Sequence, residues 1–444
     1  MTNLEERFIS VVPSARQVAW QELEFYAFIH YGINQFTNRE WGTGLESPSI
    51  FDPQALDTDQ WCDCVAKAGM RAVIITAKHH DGFCLWDTKH TEHSVMKSPY
   101  GKDIVAQLAR SCEKYGLKLG IYLSPWDRHD RRYGSGKSYD DYFCAQLTEL
   151  LEGYGEIFCV WLDGACGEGS NGQKQRYDWE RYYSVVRELQ PNAVISVCGP
   201  DVRWCGNEAG HCRESEWSVV PQSMADNEKI SDLSQKEDDE LFRQRKIPSD
   251  SGDIGSREVL RDETDLIWYP AEVNTSIRPG WFYHAEEDEQ IRPLEELKSL
   301  YLRSVGGNAA FLLNIPPHPN GYISPCDAKR LEELGDWIRT SFTDNLLDGT
   351  VFSTSDDTYT VTAETERSVS PKYLVLQEDI TRSQRVESFS LLYIRDGEWR
   401  EACHGTVIGH KRICVLPEGI ISDKWKLIIN ACRGKAYVKT FALY

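Results

Sequence analysis

The sequence predicts an α/β protein: an irregular (β/α)8-like barrel followed by an all-β sandwich. Three observations carry that prediction. Short apolar runs alternate with helical segments through the first half of the chain, the signature of βα units around a parallel sheet. One run, Ile157 to Ala165 (Ile-Phe-Cys-Val-Trp-Leu-Asp-Gly-Ala), is apolar along its whole strand length and then ends in an acid and a glycine. Such a strand is covered on both faces, as in a sheet wrapped by helices. From about Leu347 the helical period vanishes and short alternating runs separated by turns take over, as in a sandwich. The expected division is a barrel over residues 1–345 and a sandwich over 346–444.

Taken in order, residues 16–24 form a lead-in helix and Phe25 to Ile33 the first strand, with His30 near its end. A helix follows from Asp57 to Ala68, with Asp57 or Thr58 as N-cap. Ala72 to Ala77 is the second strand, running into Lys78-His79-His80-Asp81-Gly82. Asp103 to Lys114 is helical, and Leu117 to Ser124 is the third strand, leading to Pro125-Trp126. After the helix Tyr139–Leu151 comes the Ile157 strand, then the helix Tyr177–Leu189 and a fifth strand, Asn192–Val197. The rhythm loosens over 199–265, where Gln235–Arg245 and Ser249–Ser256 are charged or rich in Gly and Ser, as expected of a lid or insertion. Leu266–Val273 resumes as a strand and Leu294–Val305 as a helix. Ala309–Pro316 is the last barrel strand, and a helix follows from Pro325 to about Ser341. Beyond it, Tyr359–Ala363, Tyr373–Gln377, Phe389–Ile394, Arg412–Leu416, Lys426–Asn430 and the closing Ala436–Tyr444 are the sandwich strands.

At 444 residues the chain has room for a barrel and a second module, and its 41% apolar content is that of a globular protein. A formal charge of −20 argues against nucleic acid or an anionic membrane as partner, since both need clustered positive charge. The 14 cysteines include no C-x-x-C pair, and on a helix Cys62 and Cys64 would point apart. The start, Met-Thr-Asn-Leu-Glu-Glu-Arg, has neither a basic n-region nor an apolar h-region, and no apolar run reaches the ~18 residues of a membrane span. The expectation is a cytoplasmic protein with reduced, mostly buried thiols.

The strand ends carry the chemistry. His30, His79, His80, Tyr122, Trp126, Trp161 and Asp163 stand at or just beyond them, with Glu40 and Trp41 close behind the first. In a barrel these would converge on the C-terminal mouth. Histidines, acids and a tyrosine bind hydroxyls, and tryptophan faces bind C–H surfaces, so the set suits a neutral polyol. Asp163-Gly164 could alternatively do no more than open a turn. A metal centre at His79-His80-Asp81 is disfavoured because adjacent histidines on a strand point to opposite faces, and His90-x-x-His93 lacks an acidic third partner. Glycoside hydrolysis needs a second carboxyl beside Asp163, about 5–5.5 Å away in a retaining enzyme. Glu208, Glu214, Glu216 and Glu272 are all available; Glu152, Glu156 and Glu188 belong to surface helices. The residues alone do not choose among the four.

The chain resembles the α-L-fucosidases of glycoside hydrolase family 29. The likeness lies in Phe28-Ile-His-Tyr-Gly32, Arg39-Glu-Trp-Gly42, Ala77-Lys-His-His-Asp-Gly-Phe83, Leu119-Gly-Ile-Tyr-Leu-Ser124, Trp161-Leu-Asp-Gly-Ala165, Arg278-Pro-Gly-Trp-Phe-Tyr-His284 and Gly306-Gly-Asn-Ala-Ala-Phe-Leu-Leu-Asn-Ile-Pro-Pro317. The stretches Gly199–Trp204, Gly206–Gly210 and Arg213–Trp217 look like the subgroup acting on α-1,3/1,4-linked fucose of branched, Lewis-type glycans. The resemblance implies Asp163 as nucleophile and Glu208 as acid/base, with Glu214 and Glu216 as alternatives. It also implies that His30, Glu40, Trp41, His79, His80, Tyr122, Trp161 and Trp281 hold fucose, with no metal or cofactor in a double-displacement mechanism. The sandwich resembles galactose-binding-type modules and is expected to pack against the barrel. Competing readings are an α-L-fucosidase of broader linkage, a transfucosidase, a fucosylated-glycan-binding protein without turnover, and a metal-dependent hydrolase.

Overall fold

The computed structural model describes residues 3–235, 237, 252–355 and 359–444. Most of the charged stretch Gln235–Arg245 and the first residues of Ser249–Ser256 lie outside the described residues. The apolar runs fold as parallel strands β1 (Phe25–Ile29), β2 (Ala72–Lys78), β3 (Lys118–Leu123), β4 (Ile157–Leu162), β5 (Val194–Val197) and β6 (Arg203–Trp204). A ribbon of β7 (Val219–Pro221) and β8 (Leu266–Trp268) follows, and then β9 (Ala271–Ser276) and β10 (Ala309–Asn314). Eight of these make one sheet in the order β5-β4-β3-β2-β1-β10-β9-β6. The isolated parallel bridge Ser196–Val202 brings β5 beside β6 and nearly closes the barrel.

The expected fold class is therefore the observed one, with local corrections. The first strand stops at Ile29, and residues 33–37 form a short 3-10 turn in place of its predicted end. Leu266–Val273 is two strands, because Pro270 breaks the run and its two halves join different sheets. The two-residue strand β6 was not anticipated.

Local chemistry explains the helices. Asp57 and Asp103 accept the backbone N–H groups of Gln60 and Ala106, capping Thr58–Lys67 and Ile104–Tyr115. Gly116, in the left-handed region, ends the second of them. The strands β1, β2, β4 and β10 are buried at every position, so the barrel interior is a packed core. At the end of β2, buried Lys78 is paired with Asp127 at 3.0 Å and donates to Gln146 of the helix Lys137–Gly153 at 2.9 Å.

Beyond the helix Pro325–Ser341 the strands become antiparallel. One sheet runs β11 (Val351–Ser355), β12 (Thr360–Val369), β17 (Ser422–Cys432), β14 (Val386–Arg395), β15 (Glu398–Gly405). The other runs β16 (Arg412–Val415), β13 (Tyr373–Glu378), β18 (Val438–Leu443). The two enclose a core around Phe389, Leu391, Trp425 and Leu427. Strands β11 and β15 had not been predicted. Helix Asn3–Ser10 packs Phe8 among Val219, Leu260, Trp268 and Ile380, between barrel and sandwich. Among the described residues no helix is long and apolar enough to cross a membrane. All fourteen cysteines are free thiols, and Cys62 lies 3.9 Å from Cys112, Sγ to Sγ.

Candidate active site

The C-terminal ends of the barrel strands enclose a cavity lined by His30, Trp41, His79, His80, Tyr122, Trp161, Asp163, Glu208 and Trp281, among others. Asp163 follows the last residue of β4. Its Oδ2 accepts the Tyr122 hydroxyl (2.8 Å) and its Oδ1 the Ala165 N–H (2.8 Å). Burial raises its pKa, while the bonds from Ala165, Tyr122 and Gly164 lower it; the balance is upward. The glycine after it is closely approached: a Cβ on Gly164 would stand 2.3 Å from Ser234 Oγ, which would have to turn away.

The histidines are held as neutral rings. Burial is the main cause that depresses His30 to about 4 and His80 to about 3, and it takes His79 well below its ordinary value. His80 Nδ1 meets Ser124 Oγ at 2.7 Å, and Ser124 spends its one hydroxyl proton on the Trp126 carbonyl. Nδ1 must therefore carry the proton, leaving Nε2 as an acceptor 3.8 Å from Asp163. His30 Nδ1 likewise donates to Asn314 Oδ1 (2.8 Å), because the Asn314 amide nitrogen is used on Ser276 Oγ and the Trp281 carbonyl. His79 Nδ1 is buried with no hydrogen-bond partner among the described residues. Contrary to the alternation expected of a strand, both His79 and His80 face the cavity, with ring centroids 4.1 Å apart. The strand ends at Lys78, so the doublet lies in the turn that follows it.

The carboxyl candidates separate cleanly. Glu208 lines the cavity and accepts Trp281 Nε1 at 3.2 Å. Glu216 is buried in ion pairs with Arg203 and Arg213. Glu214 is exposed, its carbonyl taken by Thr406 and Arg412 of the sandwich. Glu272 lies mid-strand behind Trp161, accepting Trp161 Nε1 (2.7 Å), Ser196 and Tyr26, and burial pushes it up to about 7. Glu40 is also set back from the cavity wall. It accepts the N–H groups of Trp281 (2.8 Å) and Phe282 (3.0 Å) and bonds His284 Nε2, so it holds the 281–284 turn. Trp126, with Trp41, brackets the His80 ring at 4.9 and 5.2 Å.

A second depression adjoins the first, lined by His211, Arg278, Gln290 and Arg292 and sharing Glu208 and Trp281 with it. Among the described residues no group of three or more His, Cys, Asp or Glu is placed to hold a metal ion.

The α-L-fucosidase family profile matches residues 16–341. The chain belongs to the α-L-fucosidase family. It is a glycoside hydrolase of that type. An α-L-fucosidase of Arabidopsis thaliana is 37% identical, the alignment covering 98% of this chain and 87% of the plant protein. Among solved structures, a Bacteroides ovatus protein provisionally assigned as an α-L-fucosidase superposes with a TM-score of 0.90 at 43% identity, over 100% of this chain and 76% of that one. A family 29 fucosidase of Ruminococcus gnavus in complex with fucose superposes with a TM-score of 0.82 at 27% identity, over 98% and 95%. The cavity is also bounded by Phe28, Val197, Trp204 and Asn274, none of which the sequence marks as a candidate. Val197 sits at φ 66°, an unusual conformation for a β-branched residue. Phe28 and Trp204 lie within the family-like stretches Phe28–Gly32 and Gly199–Trp204, which is the signal that could find them; Val197 and Asn274 carry none.

Proposed function

We propose that the chain is a retaining exo-α-L-fucosidase acting on α-1,3/1,4-linked fucose of branched oligosaccharides, with residues 1–345 as the catalytic unit and 346–444 as its structural support. The observation that carries this reading is that, of Glu208, Glu214 and Glu216, Glu208 alone shares a cavity wall with Asp163. Asp163, ionised and steadied by the Tyr122 hydroxyl and the Ala165 N–H, attacks the anomeric carbon. Glu208 protonates the leaving oxygen and then deprotonates the water that releases fucose with retained configuration. His30, His79 and His80 receive sugar hydroxyls through their unprotonated nitrogens, and Trp41, Trp161 and Trp281 meet the apolar face. Glu40 supports Trp281 from behind. Glu208 also borders the second depression, which gives the leaving saccharide a place on the acid's side. No step calls on a metal or cofactor.

The test is fucose release from a Lewis-type trisaccharide and from an α-1,2-fucosylated one, with product anomers followed by NMR. Wild type should release fucose from the branched substrate only, with the α-anomer appearing first, and EDTA should leave the rate unchanged. Asp163→Asn should lose about 10⁴-fold or more in kcat with its fold intact, since covalent catalysis and charge stabilisation go together. Glu208→Ala should be slow on saccharides and be rescued by azide on an aryl fucoside. Equal cleavage of both trisaccharides removes the linkage claim, and a β-configured first product removes retention.

A further inference from the structure

The geometry points to Asn274 as a hydrogen-bond donor to a fucose hydroxyl, oriented for that task by Trp204, which at the same time steadies the loop that carries Glu208. This inference rests on the cavity being the fucose site.

Alternation along β9 puts Glu272, Asn274 and Ser276 on one face. Glu272 is used below by Trp161 and Ser276 above by Asn314, and Asn274 is the member between them that lines the cavity. It is 3% exposed. Its Oδ1 accepts Trp204 Nε1 at 3.0 Å. An indole N–H can only donate, so the amide has one orientation: oxygen to Trp204, nitrogen away from it. That nitrogen carries two hydrogens, has no partner among the described residues, and belongs to a side chain that lines the cavity, so it is open to a ligand rather than sealed in the core.

The rest of the cavity makes such a donor valuable. His30 and His80 present lone pairs, and Asp163 is an acceptor. Of the four indole N–H groups lining the cavity, those of Trp161, Trp204 and Trp281 are already spent on Glu272, Asn274 and Glu208, and that of Trp41, beside His80 and away from β9, serves a different part of the wall. Each sugar hydroxyl brings one proton and two lone pairs. A hydroxyl that gives its proton to a histidine still needs an N–H, and Asn274 supplies it.

Trp204 Nε1 is shared: it also reaches the carbonyl of Asn207, the residue before Glu208, at 3.1 Å. Asn207 in turn accepts the N–H groups of Ala209 and His211 and donates to the His211 carbonyl. The indole thus ties the hydroxyl donor to the loop of the acid. Trp204 is a positioning residue, acting through Asn274 and Asn207.

Calorimetric titration of L-fucose and each of its monodeoxy analogues into wild type, Asn274→Ala and Asn274→Asp tests the donor. The aspartate keeps an oxygen for Trp204 and removes the N–H, so a shared effect does not come from lost packing. Both variants should bind fucose about ten-fold more weakly, the worth of one charge-free bond and the acceptor left unpaired. One monodeoxy analogue, weaker than fucose on wild type, should be no weaker than fucose on the variants. A folded variant that binds fucose like wild type, or the same deoxy penalties in all three proteins, overturns the assignment. If wild type itself neither binds nor releases fucose, the fucosidase reading falls and this one with it. For Trp204→Phe, kcat/KM should drop several-fold more on a saccharide fucoside than on an aryl fucoside whose leaving group needs no proton. Equal drops on both would remove the positioning role.

Discussion

At the scale of single residues, three glutamates within nine positions have three fates, and the difference is set by what burial leaves each one to bond. Glu208 keeps a face to the cavity, Glu214 stands in solvent, and Glu216 neutralises Arg203 and Arg213 in the interior. Breaking a buried ion pair leaves an uncompensated charge, so Glu216→Gln should cost roughly 3–5 kcal/mol of stability, while the folded fraction keeps its kcat. Glu208→Gln should do the reverse, keeping Tm and losing turnover. Urea denaturation read beside initial rates checks both; a stable Glu216→Gln protein with no activity would exchange their roles. The sequence left these residues open because Glu216's partner Arg203 lies on a two-residue strand that no periodicity reveals. Asn274 was hidden for a related reason: its face of β9 is visible only once Pro270 is known to split the run.

At the scale of elements, the apolar strands were legible because burial on both faces writes itself into composition, as β2, β4 and β10 show. What composition does not show is where a strand lets go. The expected strand around His30 overran by four residues, and the turn after Lys78 turned a doublet expected to diverge into two neighbouring rings. Lys78 anchors the start of that turn. Its ammonium is buried against Asp127 and Gln146, and Asp127 also accepts the N–H groups of His129 and Asp130. Lys78→Met fills the space and strands the carboxylate. It should destabilise the protein by roughly 3–5 kcal/mol. By contrast, Lys67→Met, which removes an exposed pair with Asp63, should cost under about 0.5 kcal/mol. A thermal melt of both variants decides this, and equal losses would mean that the buried pair has no special standing.

At the scale of the molecule, the sandwich grips the barrel where the Glu208 loop returns. The Lys411 carbonyl accepts the Asn308 N–H (3.0 Å), Ile413 donates to Gly306 (2.9 Å), and Gln384 accepts the Ser218 N–H (2.7 Å). Both layers contribute to the response to acid: the barrel holds buried histidines and carboxyls, and the sandwich adds a buried carboxyl, Glu378. His30, His79, His80 and His93 are neutral in the fold at a pH where the unfolded chain protonates them, so their contribution to stability is lost as pH falls below about 6.5. Asp81 and Glu272 in the barrel and Glu378 in the sandwich are pushed up to about 7, chiefly by burial. They hold protons that the unfolded chain releases above about 4.5, so their contribution is lost as pH rises toward 7. Between about pH 4.5 and 6.5 the two sets oppose each other, and unfolding should take up only about one net proton from these groups. Below about 4.5 the unfolded carboxyls are protonated as well, the compensation ends, and Glu24, held near 2 by His410 and Lys411 against its burial, adds to the loss. Urea unfolding across pH 4 to 8 should therefore show a shallow slope down to about 4.5 and a steep fall beneath it. A steep fall already between about 6.5 and 5 would mean that the buried carboxyls are ionised in the folded protein and that the histidines alone govern its acid limit.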